Sequence, residues 1–121
     1  MTAADEMEQV EKSIEISIEA AKEAVARKND MDTLIRDKRF ESIFSVGYLE
    51  KEPARLTSLL ADSDWQTEEK QQSIVDDLRA ISSFRQYVLG IKAMGSQMER
   101  QIAGSEAQLE EMRLEAEEEG E

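Results

Sequence analysis

Neither cysteine nor histidine occurs among the 121 residues. Disulfides, thiol redox chemistry and zinc sites built on sulfur or imidazole are excluded, as is every catalytic dyad or triad that needs a histidine base. No apolar run approaches the length that crosses a bilayer, and the start, Met-Thr-Ala-Ala-Asp-Glu, is acidic where a secretory leader would be basic and then apolar. A soluble, cytoplasmic, non-secreted protein without disulfides or cofactor is expected. Proline occurs once, and hydrophobic residues at 40% stand against 36% charged, a balance of elongated helices rather than a compact globule. Bases are scarce beside acids, 15 against 28, for a net charge of −13. Such a surface repels nucleic-acid phosphates and anionic lipid and attracts a basic protein partner. Direct binding of nucleic acid or a membrane is therefore not expected as the main activity, and separately no small-molecule substrate is expected.

What is present is a seven-residue repeat. Ile74, Ile81, Val88, Gly95, Ile102, Leu109 and Ala116 hold one position, and Phe84, Ile91, Met98, Ser105 and Met112 the position three further on. Asp77 alone breaks the second series, with Leu78 beside it taking the apolar slot. Apolar residues alternating three and four apart are the pattern of a coiled-coil seam, which needs a partner helix.

The rest of the chain arranges itself around that seam. All six aromatic residues, Phe40, Phe44, Tyr48, Trp65, Phe84 and Tyr87, lie between positions 40 and 87, which places a small helical head at 33–88. Residues 1–32 form an N-terminal stalk helix, 89–117 a coiled-coil C-terminal helix and 118–121 an acidic tail. The fold expected is all-α: an elongated helical bundle or coiled-coil stalk made from both ends of the chain, carrying the head. In the first helix Thr2 and Asp5 suit a capping box, and Met7, Val10, Ile14, Ile18, Ala21 and Val25 form one apolar stripe. The helix stops at Asn29-Asp30 or continues through Met31, Leu34 and Ile35. A turn of helix from Lys38 to Val46 is expected to stop at Gly47 in the left-handed conformation. Pro53 sits in the first turn of the next helix, where its missing N–H costs nothing. Asp62-Ser63-Asp64 then caps a last helix of about 66–118. Of its interior glycines, Gly95 is assigned to close approach of another backbone, because it occupies the seam.

Charge bears on how the stalk is completed. Residues 1–30 carry 8 acids against 4 bases, and 91–121 carry 9 against 3, so such helices side by side repel until salt screens them. Homo-oligomerisation should be promoted by salt. The residues expected at the oligomer interface are Val88, Ile91, Gly95, Met98, Ile102, Leu109 and Met112 with Val10, Ile14 and Ile18.

Other motifs read more plainly. Asp62, Ser63 and Asp64 begin like a calcium loop, but Thr67 stands where glycine is required and Ser73 where the bidentate glutamate belongs; capping is the preferred reading. No paired glutamates with histidine and no glycine-rich phosphate loop occur, and no metal is expected. Arg36, Lys38 and Arg39, with Arg55 nearby, reverse the local sign and offer a seat for an acidic partner, or else a solvated face. Trp65 is a candidate partner anchor, although a staple of the head core is preferred. Met94, Met98 and Met112 would form a plastic groove or simply pack the seam.

The run Phe40 to Tyr48, followed by Leu49-Glu50-Lys51-Glu52, Arg55-Leu56, Ala80-Ile81 and Tyr87, resembles small helical proteins from the virion structure and assembly genes of tailed bacteriophages. The resemblance covers about residues 33–117, and in those sequences an ordinary helix former usually stands at the position of Pro53. It implies a role in building a phage particle, as a minor virion component, assembly chaperone or scaffold-like factor working with other phage or host proteins in the host cytoplasm or virion. No catalytic residue comes with it, and no enzyme is expected. The alternative is an acidic DNA mimic that sequesters a host RNA polymerase or nuclease through Glu106, Glu110, Glu111, Glu115, Glu117, Glu118 and Glu119.

Overall fold

A computed structural model describes residues 2–120, and all regular structure among them is helical. Helix α1 spans Ala3–Arg36 and opens on the expected capping box. The Thr2 hydroxyl accepts from the Asp5 amide at 3.2 Å while the Asp5 carboxylate accepts from the Thr2 amide at 3.3 Å. The Asn29-Asp30 step does not end it; half-buried Met31 and Ile35 prolong its apolar face. Asp37 breaks the helix in extended conformation (φ −68°, ψ 127°) and caps the next one, accepting from the Arg39 and Phe40 amides.

From Lys38 the chain stays helical to Leu60, as α2 (Lys38–Phe40), a π-helix (Glu41–Lys51) and α3 (Glu52–Leu60). The expected stop at Gly47 is therefore wrong, and among the described residues no glycine has a positive φ. Gly47 serves the widened turn instead: a Cβ placed there would stand 2.8 Å from the Ser42 carbonyl oxygen five residues back. The wide pattern closes where the Glu52 amide donates to the Gly47 carbonyl. Pro53 follows at once, in the first turn of α3. It offers no N–H to the Leu49 carbonyl four residues earlier, and the Arg85 guanidinium donates to that oxygen.

The expected cap of the last helix also shifts. Asp62 caps a single 3₁₀ turn, Ser63–Trp65, by accepting from the Asp64 amide at 2.8 Å. Thr67 is the cap of α4, which spans Glu68–Glu119; its hydroxyl accepts from the Lys70 amide at 3.3 Å. Polar side chains hold the intervening loop. Gln71 Nε2 donates to the carbonyls of Trp65 (2.7 Å) and Leu60 (3.2 Å), and Lys70 Nζ to that of Asp64 (2.8 Å). Helix α4 runs through Gly90, Gly95 and Gly104 without a break, and into the glutamates of the expected tail, whose last residue, Glu121, lies outside the described residues.

The chain divides into two compact units. One is built from Asp30–Ile91 around buried Leu56, Ile74 and Ile81, packed by Tyr48, Leu49, Leu59, Leu60, Trp65 and Leu78. Leu78 takes the apolar slot beside exposed Asp77. An aromatic chain flanks this core: Phe40 meets Phe44 at 5.0 Å, Phe44 stacks on Phe84 at 6.0 Å, and Tyr48 meets Phe84 edge-on at 5.7 Å.

The other unit joins the residues up to Asn29 with those from Lys92 onward, where the long N-terminal helix packs on the long C-terminal one. They run antiparallel: Lys28 lies against Gly95 and Glu99, while Lys22 feels the charge of Glu106. Along the facing stripes the covered positions on α1 are 7, 11, 14, 18, 21, 25 and 28, flanked by half-buried Ala24, and those on α4 are 95, 98, 102, 105, 109 and 112, flanked by half-buried Lys92 and Ser96. Both sets alternate three and four, the spacing that keeps one stripe of a helix facing its neighbour.

Candidate functional site

Most of the residues assigned to the interface line this internal helix pairing or its continuation. Ile18, Val88 and Gly95 are buried, and Ile14, Ile91, Met98, Ile102, Leu109 and Met112 are half-buried. Val10 is 45% exposed and lies off the stripe of this pairing. Glu11 holds that position because the alternation running from Met7 to Lys28 falls on 11, and its methylene stem can lie along the apolar margin. Ala116, the last member of the α4 repeat, is exposed.

Gly95 is a point of close approach in the pairing. A Cβ there would stand 2.2 Å from the Lys28 Cβ and under 3 Å from its Cγ and Cδ. The missing side chain lets the Lys28 stem lie flat on α4 and reach Glu99, an ion pair of 2.9 Å. Gly90 and Gly104 face open space. Methionine is split: Met98 and Met112 pack in the seam, and Met94 points to solvent.

The residues assigned to partner binding separate. Trp65 is half-buried on the core, with the Lys70 ammonium 5.5 Å from its ring centroid, so it packs the 61–67 loop onto that core. Arg55 does not join the basic cluster, because its guanidinium is held by Glu52 (Nε to Oε2 3.1 Å). That bond keeps the Glu52 carboxyl below its ordinary range and raises Arg55. Arg36, Lys38 and Arg39 are exposed. Asp37, which stands among them, spends one carboxylate oxygen on the amides of Arg39 and Phe40.

One feature was missed from the sequence. Ile43 and Phe44, on the π-helix, are 63% and 38% exposed, and with Gly47, Tyr48 and Glu52 they line a shallow depression. The spacing of Phe40, Phe44 and Tyr48 was visible, but Ile43 belongs to no periodic stripe. Among the described residues no polar side chain is buried and no acidic group is arranged to hold a metal ion. Among the described residues no helix is long and apolar enough to cross a membrane. What the surface offers is apolar contact edged by charge. No protein-family model, curated protein or solved structure matches this chain.

Proposed function

We propose that this is a non-enzymatic helical protein that self-associates through the flanks of its paired terminal helices, as a coiled-coil or bundled stalk. Its role on this reading is to help build a bacteriophage particle as a minor component, assembly chaperone or scaffold-like factor. The observation that carries the self-association is incomplete burial. The α1–α4 pairing fully covers Ile18, Ala21 and Gly95, while Ile14, Met98, Ile102, Leu109 and Met112 keep one side open. A third or fourth helix along those margins would remove the remaining apolar surface from water, at about 25 cal/mol per Å². The phage role rests on the resemblance carried by Phe40–Tyr48, Arg55-Leu56 and Tyr87.

Light scattering at micromolar concentration tests the first part. An oligomer in high salt is expected, reduced in mass by Leu109→Asp, since a charge on the half-buried margin loses solvation without a partner. A monomer at every salt concentration would overturn it. Immunodetection in particles and in their precursors tests the second part; absence from both, with unchanged particle yield on deletion, would refute it. The DNA-mimic alternative draws on the exposure of Glu106, Glu110, Glu111, Glu115, Glu117, Glu118 and Glu119. It requires that neutralising these residues abolish capture of a host nucleic-acid enzyme while the oligomer persists.

A further inference from the structure

We infer that α1 packs against α1 of a second copy of this chain in antiparallel orientation, along the uncharged side of its pairing with α4, with Glu6 of each copy set beside Arg27 of the other. In the unit built from the chain ends, the residue before a covered position and the residue after it differ in kind. On α1 the residues before are exposed Val10, Ser13, Ser17 and Ala20 and half-buried Ala24; on α4 they are exposed Met94, Gln97, Gln101, Gly104 and Gln108. None of these carries a charge. The residues after include Glu8, Lys12, Glu15, Glu19 and Lys22 on α1, and Glu99, Glu106, Glu110 and Arg113 on α4. One residue turns an α-helix by about 100°, so the two sets lie on opposite sides of the stripe. Antiparallel helices bring their matching sets to the same side of the pair: Lys22 and Glu106, each one place after a covered position, feel each other's charge. The pair therefore has one charged side and one uncharged side.

The occupant follows from that division. A basic protein is drawn to the charged side, whereas a second chain of net charge −13 meets least repulsion at the side without carboxylates. Val10 and Met94, 45% and 51% exposed, give that side apolar area. The ends of the run on α1 set the register. Its alternation of three and four continues one step each way, to Glu6 and to Arg27, both exposed. Turned end for end about Ser17, the series falls on itself: Val10 stands opposite Ala24, Ser13 opposite Ala20, and Glu6 opposite Arg27. Valine meets alanine, and a guanidinium with five donors meets a carboxylate, at both ends of the contact by twofold symmetry. Within one chain the two charges lie about 31 Å apart along α1, at about 1.5 Å per residue, too far to pair.

This inference rests on the proposal that the protein acts by self-association, and it names the side of the stalk that is used. The test is sedimentation equilibrium of the full chain at about 0.15 M salt, where charges beyond about 8 Å are screened while a contacting pair is still felt. Glu6→Lys and Arg27→Glu shift the net charge in opposite directions. Each alone should nonetheless weaken association about fivefold or more, because it replaces two attractions with two repulsions. The doubly reversed chain should regain the association of the original. Ser17→Glu, which brings two carboxylates together at the twofold axis, should abolish it. Ala26→Glu, which adds the same charge one place after Val25, should not. Circular dichroism should show unchanged helix in each variant, since all four positions are exposed. An oligomer that survives Ser17→Glu, or reversals whose effects add rather than cancel, overturns the inference and leaves self-association to the other side of the pair. A chain that stays monomeric at every salt concentration overturns the self-association proposal itself, so the two fail separately.

Discussion

At the scale of single residues, identical glycines in one helix have opposite roles, and the difference is measurable. A methyl group at Gly95 would overlap the base of the Lys28 side chain, where there is no flexible end to move aside. Gly95→Ala should therefore separate α1 from α4 and cost about 1–3 kcal/mol, the range of overpacking, less the roughly 1 kcal/mol that alanine returns to a helix interior. Gly90→Ala and Gly104→Ala meet nothing within 4 Å and should stabilise by about 0.4–1 kcal/mol. Urea denaturation of the three variants decides both signs. The exposed ion pairs carry a weaker signature with pH. Glu52 is lowered by its bond to Arg55, so its contribution is present above the ordinary glutamate range and fades as pH falls through the depressed value. Lys22 is raised by its bond to Glu19; its contribution is present at neutral pH and disappears as pH climbs past the ordinary lysine range. Glu52→Gln should flatten the acid side of a stability–pH curve and Lys22→Met the alkaline side. The close approach at Gly95 was legible in the sequence because a glycine at a seam position has a reason to be there. Glu11 was not, since a charged residue gives no apolar signal and Val10 next to it does.

At the scale of elements, what could be read was whatever repeats. The α4 stripe from Ile74 to Met112 is covered as its spacing implies, and Leu78 takes the slot beside Asp77, because periodicity survives one substitution. The π-helix could not be read, since a turn widened to five residues has no preferred composition and Gly47 is equally suited to ending a helix. Its physical signature lies across the structure, in Arg85. Pro53 leaves the Leu49 carbonyl without the amide an α-helix would supply, and the Arg85 guanidinium occupies that oxygen from the other side of the core. Arg85→Met should cost about 1–2 kcal/mol, the worth of a hydrogen bond involving a charged donor near the surface. In a Pro53→Ala background, where residue 53 regains its N–H, the same substitution should cost less, and the coupling between the two positions is the quantity to measure. Equal costs in both backgrounds would mean that Arg85 contributes packing alone. Gly47→Ala, whose Cβ would crowd the Ser42 carbonyl, should lower the melting temperature and shift the π-helix toward α.

At the scale of the molecule, charge and apolar area pull against each other. The unit built from the two chain ends holds 16 of the 28 acids and 7 of the 15 bases. It is therefore the more acidic of the two, and it also carries the half-buried margin of Met98, Ile102, Leu109 and Met112. Copies approaching along that margin gain apolar burial at every salt concentration but repel over a distance set by screening, about 30 Å at 0.01 M and about 8 Å at 0.15 M. Association along the stalk is consequently expected to tighten as salt rises and again as pH falls toward the isoelectric point near 4.4, where the carboxylates lose charge while the apolar margin is unchanged. Sedimentation at fixed micromolar protein across both variables checks this. Mass that increases along the two axes together identifies repulsion between carboxylates as the opposing force. Mass that increases with salt and is flat with pH would locate the salt effect in strengthened apolar burial, because only the carboxylates titrate in that interval.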